Sequence, residues 1–238
     1  MPAVSQLLHG VTVAARSTIG NMQRRVFLAV LALPVLAHGQ PAGATDLVRA
    51  AASGDLASLR RLLDAGAPVN AREPSGRNAV LAATQAGQVE AALLLIARGA
   101  DVNAQDDRRD SAFLLAGARG HAAIVRAALG AGADLRRTNR YGGTALIPAC
   151  HYGHVETVRV LLSTPIDVDH VNDLGWTALL EAVILGDGGD AHTEIVRLLL
   201  ARGADANRAD RQGVTPLQHA RQRGQARVAR LLQAAGGR

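Results

Sequence analysis

Ile195-Val196-Arg197-Leu198-Leu199-Leu200-Ala201-Arg202-Gly203-Ala204-Asp205-Ala206-Asn207, followed by Asp210-Arg211-Gln212-Gly213-Val214-Thr215-Pro216-Leu217-Gln218-His219-Ala220, is the stretch that decides the fold. Its parts recur along the chain. Gly66, Gly99 and Gly132 are 33 residues apart, and so are Gly54, Gly87, Gly120, Gly153 and Gly186. A fixed period of that length is the mark of a repeat array.

Each recurring residue has a physical reason. Thr144, Thr177 and Thr215 stand where a hydroxyl can cap a helix N-terminus. Pro216 follows at the first helical turn, where its missing N–H costs nothing. Gly153 and its equivalents sit between two helices, where a left-handed residue ends the first. The second helix carries Val155, Val158, Leu161 and Leu162 at i, i+3, i+6 and i+7, an apolar stripe. Ala149, Ala182 and Ala220 keep the first helix slim, so that neighbouring units can close up.

These residues resemble the ankyrin repeat: a Thr-Pro-Leu-His-like start, a mid-repeat Gly and a Gly-Ala-Asp-x-Asn ending. The resemblance covers residues 45–238 and implies an all-α solenoid of stacked helix–turn–helix units with protruding β-turns. Six repeats are expected, at 45–72, 73–105, 106–138, 139–171, 172–209 and 210–238. The first lacks its turn and the last stops after its second helix, so either end can serve as a cap.

Composition agrees with such an array. Apolar residues make up 48% of the 238, but aromatics only 2%, which favours helices packed through Ala and Leu. All 26 cationic residues are Arg. Without residues 1–44 the balance is 23 Arg against 20 acids, too mild a charge to indicate nucleic acid. The single Cys150 excludes an intramolecular disulfide and a cysteine zinc site. No phosphate loop, dinucleotide fingerprint or metalloprotease motif is present, so neither a cofactor nor catalysis is expected. Cys150 and His151 are adjacent on a helix and point about 100° apart, which makes them a poor nucleophile–base pair.

Residues 1–44 read as an N-terminal extension and export signal. Arg24-Arg25 precedes an apolar run from Val26 to Ala37, and small-residue sites follow at Ala37-His38-Gly39 and Ala42-Gly43-Ala44. That is the layout of a secretory signal, with cleavage near Gly39 or Ala44. The run is short for a membrane span of about 20 residues. Arg24-Arg25-Val26-Phe27-Leu28 resembles the twin-arginine export motif, although Gln23 and Ala29 depart from its usual flanks. A start at Met22 would give a signal of conventional length. The expectation is a periplasmic or secreted chain with no membrane span after processing.

Two departures from the repeat bear on function. The fifth unit is five residues too long: Asp187-Gly188-Gly189-Asp190-Ala191 intervenes before His192-Thr193-Glu194. This is read as a flexible acidic loop between two helices, either a tolerated insertion, a partner contact or a hard-cation site with His192 and Glu181. The second departure follows from the resemblance, which places variable residues of the turns and first helices on the concave face. Tyr141, Tyr152 and Trp176 are all the Tyr and Trp residues of the chain, and all fall there. Leu174, Ile184 and Leu185 add apolar surface, rimmed by Arg140 and His151. Aromatic and Arg anchors of this kind mark a binding hot spot.

His121, His154 and His192 share one repeat position and are expected to bond neighbouring backbone. His219 belongs to the same framework. The expected function is a non-catalytic, monomeric protein-binding module. The resemblance to exported bacterial proteins of this family implies a scaffold, a protective partner or an effector. Two alternatives stand: a small-molecule or metal-binding protein, conceivably an enzyme, built on 187–191 and the adjacent groove, and a structural self-assembling array.

Overall fold

The computed structural model describes residues 44–238, which fall within one unit, Gly39–Arg238. The export-signal reading lies outside the described residues, apart from Ala44.

Among the described residues the chain forms twelve helices in six pairs. They are α1 (Ala44–Ser53) with α2 (Leu56–Asp64), α3 (Ala79–Gln85) with α4 (Val89–Ala97), and α5 (Ala112–Arg119) with α6 (Ala122–Gly130). Then follow α7 (Leu146–His151) with α8 (Val155–Leu162), α9 (Ala178–Ile184) with α10 (Asp190–Ala201), and α11 (Pro216–Gln222) with α12 (Ala226–Ala234). Odd-numbered helices pack on one another in order, and even-numbered helices do the same, giving two helical layers. No strand occurs among the described residues; one isolated antiparallel bridge joins Arg72 and Asn78. The fold is the expected all-α array.

The core lies between the layers. Ala149, Ala182 and Ala220 are fully buried there, as expected of slim first helices, beside Leu146, Leu161, Leu179 and Leu199. Across the even-numbered layer, exposed ion pairs tie successive repeats: Arg98 to Asp64, Arg126 to Glu156, Arg159 to Glu194 and Arg227 to Asp190.

Four first helices begin on a capping side chain, which satisfies one of the unpaired N–H groups of the first turn. Asn78 accepts from Leu81 N at 3.0 Å, Ser111 from Leu114 N at 3.3 Å, Thr177 from Leu180 N at 3.2 Å and Thr215 from Gln218 N at 3.3 Å. Thr144 does not cap. Its hydroxyl is buried without a partner, and α7 begins two residues later. The cause is Pro148. At the equivalent place Ala82, Leu115, Glu181 and His219 each donate N–H to the capping residue's carbonyl. A proline has no N–H to donate, so the first bond of α7 is missing.

The Asn of the repeat ending ties one repeat to the next. Asn103 donates to the Gly132 carbonyl at 2.9 Å and accepts from Asp134 N at 2.8 Å. Asn70 does the same with Gly99 and Asp101, and Asn207 with Gly236 and Arg238.

The insertion forms the expected loop only in part. Asp190 and Ala191 belong to α10, which has 12 residues where α8 has 8. The left-handed residue of this pair is Gly188 at φ +69°, in the place held by Gly153 at φ +74°; Gly186 does not take that conformation. The extra residues are therefore absorbed mainly as added helix, leaving Asp187–Gly189 as the link. Asp190 sits in the first turn of α10, where the helix dipole favours an acid.

Candidate functional site

The protruding turns are built by one side chain each. Asn139 Oδ1 accepts from Tyr141 N at 2.9 Å and Gly143 N at 3.1 Å. Asn172 Oδ1 accepts from Leu174 N and Trp176 N, both at 3.0 Å. The two turns are joined main chain to main chain, Asp173 N to Tyr141 O at 3.0 Å. Tyr141 and Leu174 are thus carried on adjacent, mutually braced loops rather than on free ones.

Between these turns and the first helices lies an open groove of about 760 Å³. It brings together six of the eight residues expected from sequence: Arg140, Tyr141, His151, Tyr152, Leu174 and Leu185. Tyr152 is 59% exposed, Tyr141 57%, Leu174 52% and Leu185 41%, the four most exposed large apolar or aromatic side chains among the described residues. The rings are organised. His151 stacks on Tyr152 with centroids 4.2 Å apart and planes 11° apart, and the Arg140 guanidinium lies 4.7 Å above the Tyr141 ring. Trp176 and Ile184 do not line the groove; both are half-buried.

The groove also reaches back to Asp110, Ala118 and Arg119 of the preceding repeat and down to Glu181 on α9. Glu181 is only 5% exposed. Asn172 donates to its Oε1 at 2.9 Å, while Oε2 faces His151 Nδ1 at 3.5 Å. Burial pushes the Glu181 carboxyl up to about 7, against the opposing pull of the Asn172 bond. Burial, helped by His192, holds the His151 ring below the ordinary histidine range. Both shifts favour the neutral forms, so near pH 7 desolvation outweighs attraction across 3.5 Å and the two groups do not behave as a strong ion pair. The signal for Glu181 was in the sequence: a lone acid inside the apolar run Leu179-Leu180-Glu181-Ala182-Val183.

The insertion residues are used elsewhere. Asp187 Oδ1 accepts from Gly189 N and pairs with His192 Nδ1, each at 2.8 Å, and Asp190 pairs with Arg227. Among the described residues no three His, Cys, Asp or Glu side chains converge as a metal-ligand set, and the groove that Glu181 lines is not lined by Asp187, Asp190 or His192. Cys150 is fully buried, and its surroundings push the thiol well above its ordinary range, the opposite of what a nucleophile needs.

The histidines divide. His154 Nε2 meets the Ala118 carbonyl at 3.2 Å and His192 Nε2 meets the His151 carbonyl at 2.9 Å, both in the preceding repeat, as expected. His121 departs from that pattern: its Nε2 is buried without a partner. His219 is held by Asp210 at 2.7 Å.

Family models for ankyrin repeats match residues 47–96, 91–172, 112–210 and 165–237. Among solved structures, an ankyrin repeat domain from Acinetobacter baumannii AYE is 51% identical with a TM-score of 0.78, over 81% of this chain and 98% of that one. The ankyrin repeat protein EF0377 is 38% identical with a TM-score of 0.75, over 79% of this chain and 96% of that one. The ankyrin repeat protein YahD of Escherichia coli K12 is 50% identical over 56 residues, a match spanning 24% of this chain and 28% of the relative.

Proposed function

Because this chain belongs to the ankyrin-repeat family, whose arrays generally act in protein–protein interaction, we propose that it is a non-catalytic binding module that grips a partner protein through the groove of Arg140, Tyr141, His151, Tyr152, Leu174 and Leu185. The observation that carries this reading is the concentration of exposed Tyr141, Tyr152, Leu174 and Leu185 around one groove. Contiguous apolar surface on a folded chain calls for a covering partner, and aromatic and Arg side chains are the usual anchors. The braced turns hold the anchors in place before binding, which lowers the ordering cost of association.

The reading includes export across the cytoplasmic membrane, to the periplasm or beyond. Its support is the Arg24-Arg25 pair, the apolar run Val26–Ala37 and the small-residue sites that follow. Among the described residues no helix is long and apolar enough to cross a membrane.

The test is affinity capture of partners on purified protein, comparing wild type with Tyr152→Ala/Leu174→Ala. Both positions are exposed, so circular dichroism melts should coincide. Loss of one specific partner by the double variant is expected; equal recovery of the same partner would remove the groove from the binding surface. Export is read by N-terminal sequencing of the protein from fractionated cells. A chain starting after Gly39 or Ala44 outside the cytoplasm is expected, and an uncleaved chain confined to the cytoplasm would overturn it.

A further inference from the structure

The charges lining the groove are unequal. Three guanidinium groups reach it, from Arg108, Arg119 and Arg140. Asp110 alone serves two of them, at 3.2 Å from Arg140 and 3.8 Å from Arg108. Arg119, exposed at the end of α5, has no ion pair among the described residues. The other acid of the lining is Glu181 on the floor. Its Oε1 is engaged by Asn172 and its Oε2 faces His151 Nδ1 at 3.5 Å, so a protonated Glu181 adds no negative charge to the groove. An excess of fixed positive charge beside apolar side chains selects a ligand of the opposite charge with apolar groups of its own.

Resting on the reading of this groove as a protein-binding surface, we infer that its occupant is an extended segment of the partner in which Asp or Glu side chains alternate with aliphatic ones, a carboxylate meeting Arg119 and an aliphatic side chain covering Leu174 and Leu185. Glu181 gates that segment. Uncharged, it exerts no repulsion. Ionised, it sets a buried negative charge beneath an acidic ligand, where low dielectric makes repulsion strong. Affinity is therefore higher below neutral pH and falls above it.

The groups around Glu181 support that direction. From α7 come Cys150 and His151, and from its own turn Asn172. On α10, which packs against α9, His192 is held by Asp187, Asp190 pairs with Arg227, and Glu194 pairs with Arg159 and Arg197; on α11, also packed against α9, His219 is held by Asp210 and Arg221 lies in the last turn. The gain of a proton by His151 at lower pH adds positive charge and acts in the same sense as neutralising Glu181. Arg119 and its neighbours lie at the surface, so the attraction weakens as salt rises.

A phage-displayed random dodecapeptide library, panned on the full chain at pH 6, tests the inference. Selected peptides are resynthesised with a fluorophore and titrated by anisotropy. The expected peptides are rich in Asp and Glu among aliphatic residues. They bind Arg119→Glu and Tyr152→Ala at least tenfold more weakly, and their affinity drops from pH 6 to pH 8 several-fold more in wild type than in Glu181→Gln. Neutral or basic peptides that still need Tyr152 would overturn the acidic preference and leave the groove as a protein-binding surface. A pH drop of equal size in Glu181→Gln would remove Glu181 as the gate. Peptides that bind Tyr152→Ala as well as wild type, or a library yielding no binder, would sink both readings.

Discussion

His192 on α10 reaches the main-chain carbonyl of His151 at the end of α7, Nε2 to O 2.9 Å, while its Nδ1 meets Asp187 at 2.8 Å. One ring therefore ties the insertion to its own helix and the fifth repeat to the fourth. Both partners are acceptors, so a neutral ring can donate to only one of them at a time.

At the next junction Gln225 does the same work, donating its Nε2 to the carbonyls of Val183 and Gly186, each at 3.0 Å. His192→Gln should therefore keep most of the stability that His192→Ala loses. Removing the donor leaves a part-buried carbonyl unpaired, at a cost of about 1–3 kcal/mol. Urea unfolding of the two variants measures this. Equal losses would mean that the ring contributes by packing and not by its hydrogen bond.

Thr144 and Thr177 occupy the same repeat position and should respond oppositely to valine. Thr177 accepts from Leu180 N, and losing that cap costs about 1–2 kcal/mol. Thr144 buries its hydroxyl without a partner, so Thr144→Val removes an unsatisfied polar atom and should be neutral or stabilising. Thermal melts of the two single variants decide it; a clear loss for Thr144→Val would mean that the hydroxyl is satisfied in solution.

What could be read from sequence follows from what repeats. Gly153, Asn103 and Ala182 act locally or on the adjacent repeat, so their period exposes their roles. Six of the eight residues placed on the variable face line one groove for the same reason. The exceptions come from competition between positions. Pro148 cancels the cap at Thr144, and Gly188 replaces Gly186 as the left-handed residue because α10 can extend backwards into the insertion. Trp176 lies outside the groove although its neighbour Leu174 lines it, and both donate N–H to Asn172; repeat position alone does not give side-chain direction. Glu181 was expected only as a cation ligand beside the insertion, and its contact with Asn172 and His151 required the turn geometry.

Glu181 should give stability a pH slope. Its folded-state value of about 7 lies above the ordinary 4.5, so the unfolded chain releases this proton first. Below pH 4.5 the carboxyl is neutral in both states and carries no penalty. As pH rises from there to about 7 the unfolded state gains the advantage, and stability falls by at most about 3 kcal/mol before levelling. Glu181→Gln retains an acceptor for Asn172 and has no proton to lose. The gap between wild type and Glu181→Gln should therefore widen against wild type from pH 4.5 to pH 8. A constant gap over that range would place the ionised form comfortably in the fold.

Arg109 is the one non-glycine residue with positive φ among the described residues, at +60°, in a turn whose counterparts use Gly76, Gly142, Gly175 and Gly213. A β-carbon in the left-handed region costs roughly 1 kcal/mol. The fold retains Arg109 with its carbonyl held by Gln105 at 2.7 Å and its guanidinium on Thr138 Oγ1 at 3.1 Å, an exposed contact of modest value. Two variants separate these contributions. Arg109→Ala removes the guanidinium contact and keeps the β-carbon; Arg109→Gly removes both. Glycine also has more conformational freedom to lose on folding, which offsets part of the relief. The expected order of stability is Arg109→Gly above Arg109→Ala by about 0.5–1 kcal/mol, read from urea midpoints at constant slope. If alanine equals or exceeds glycine, the turn does not hold residue 109 in the left-handed region in solution, and the bond from Gln105 to its carbonyl would have to form from another backbone conformation.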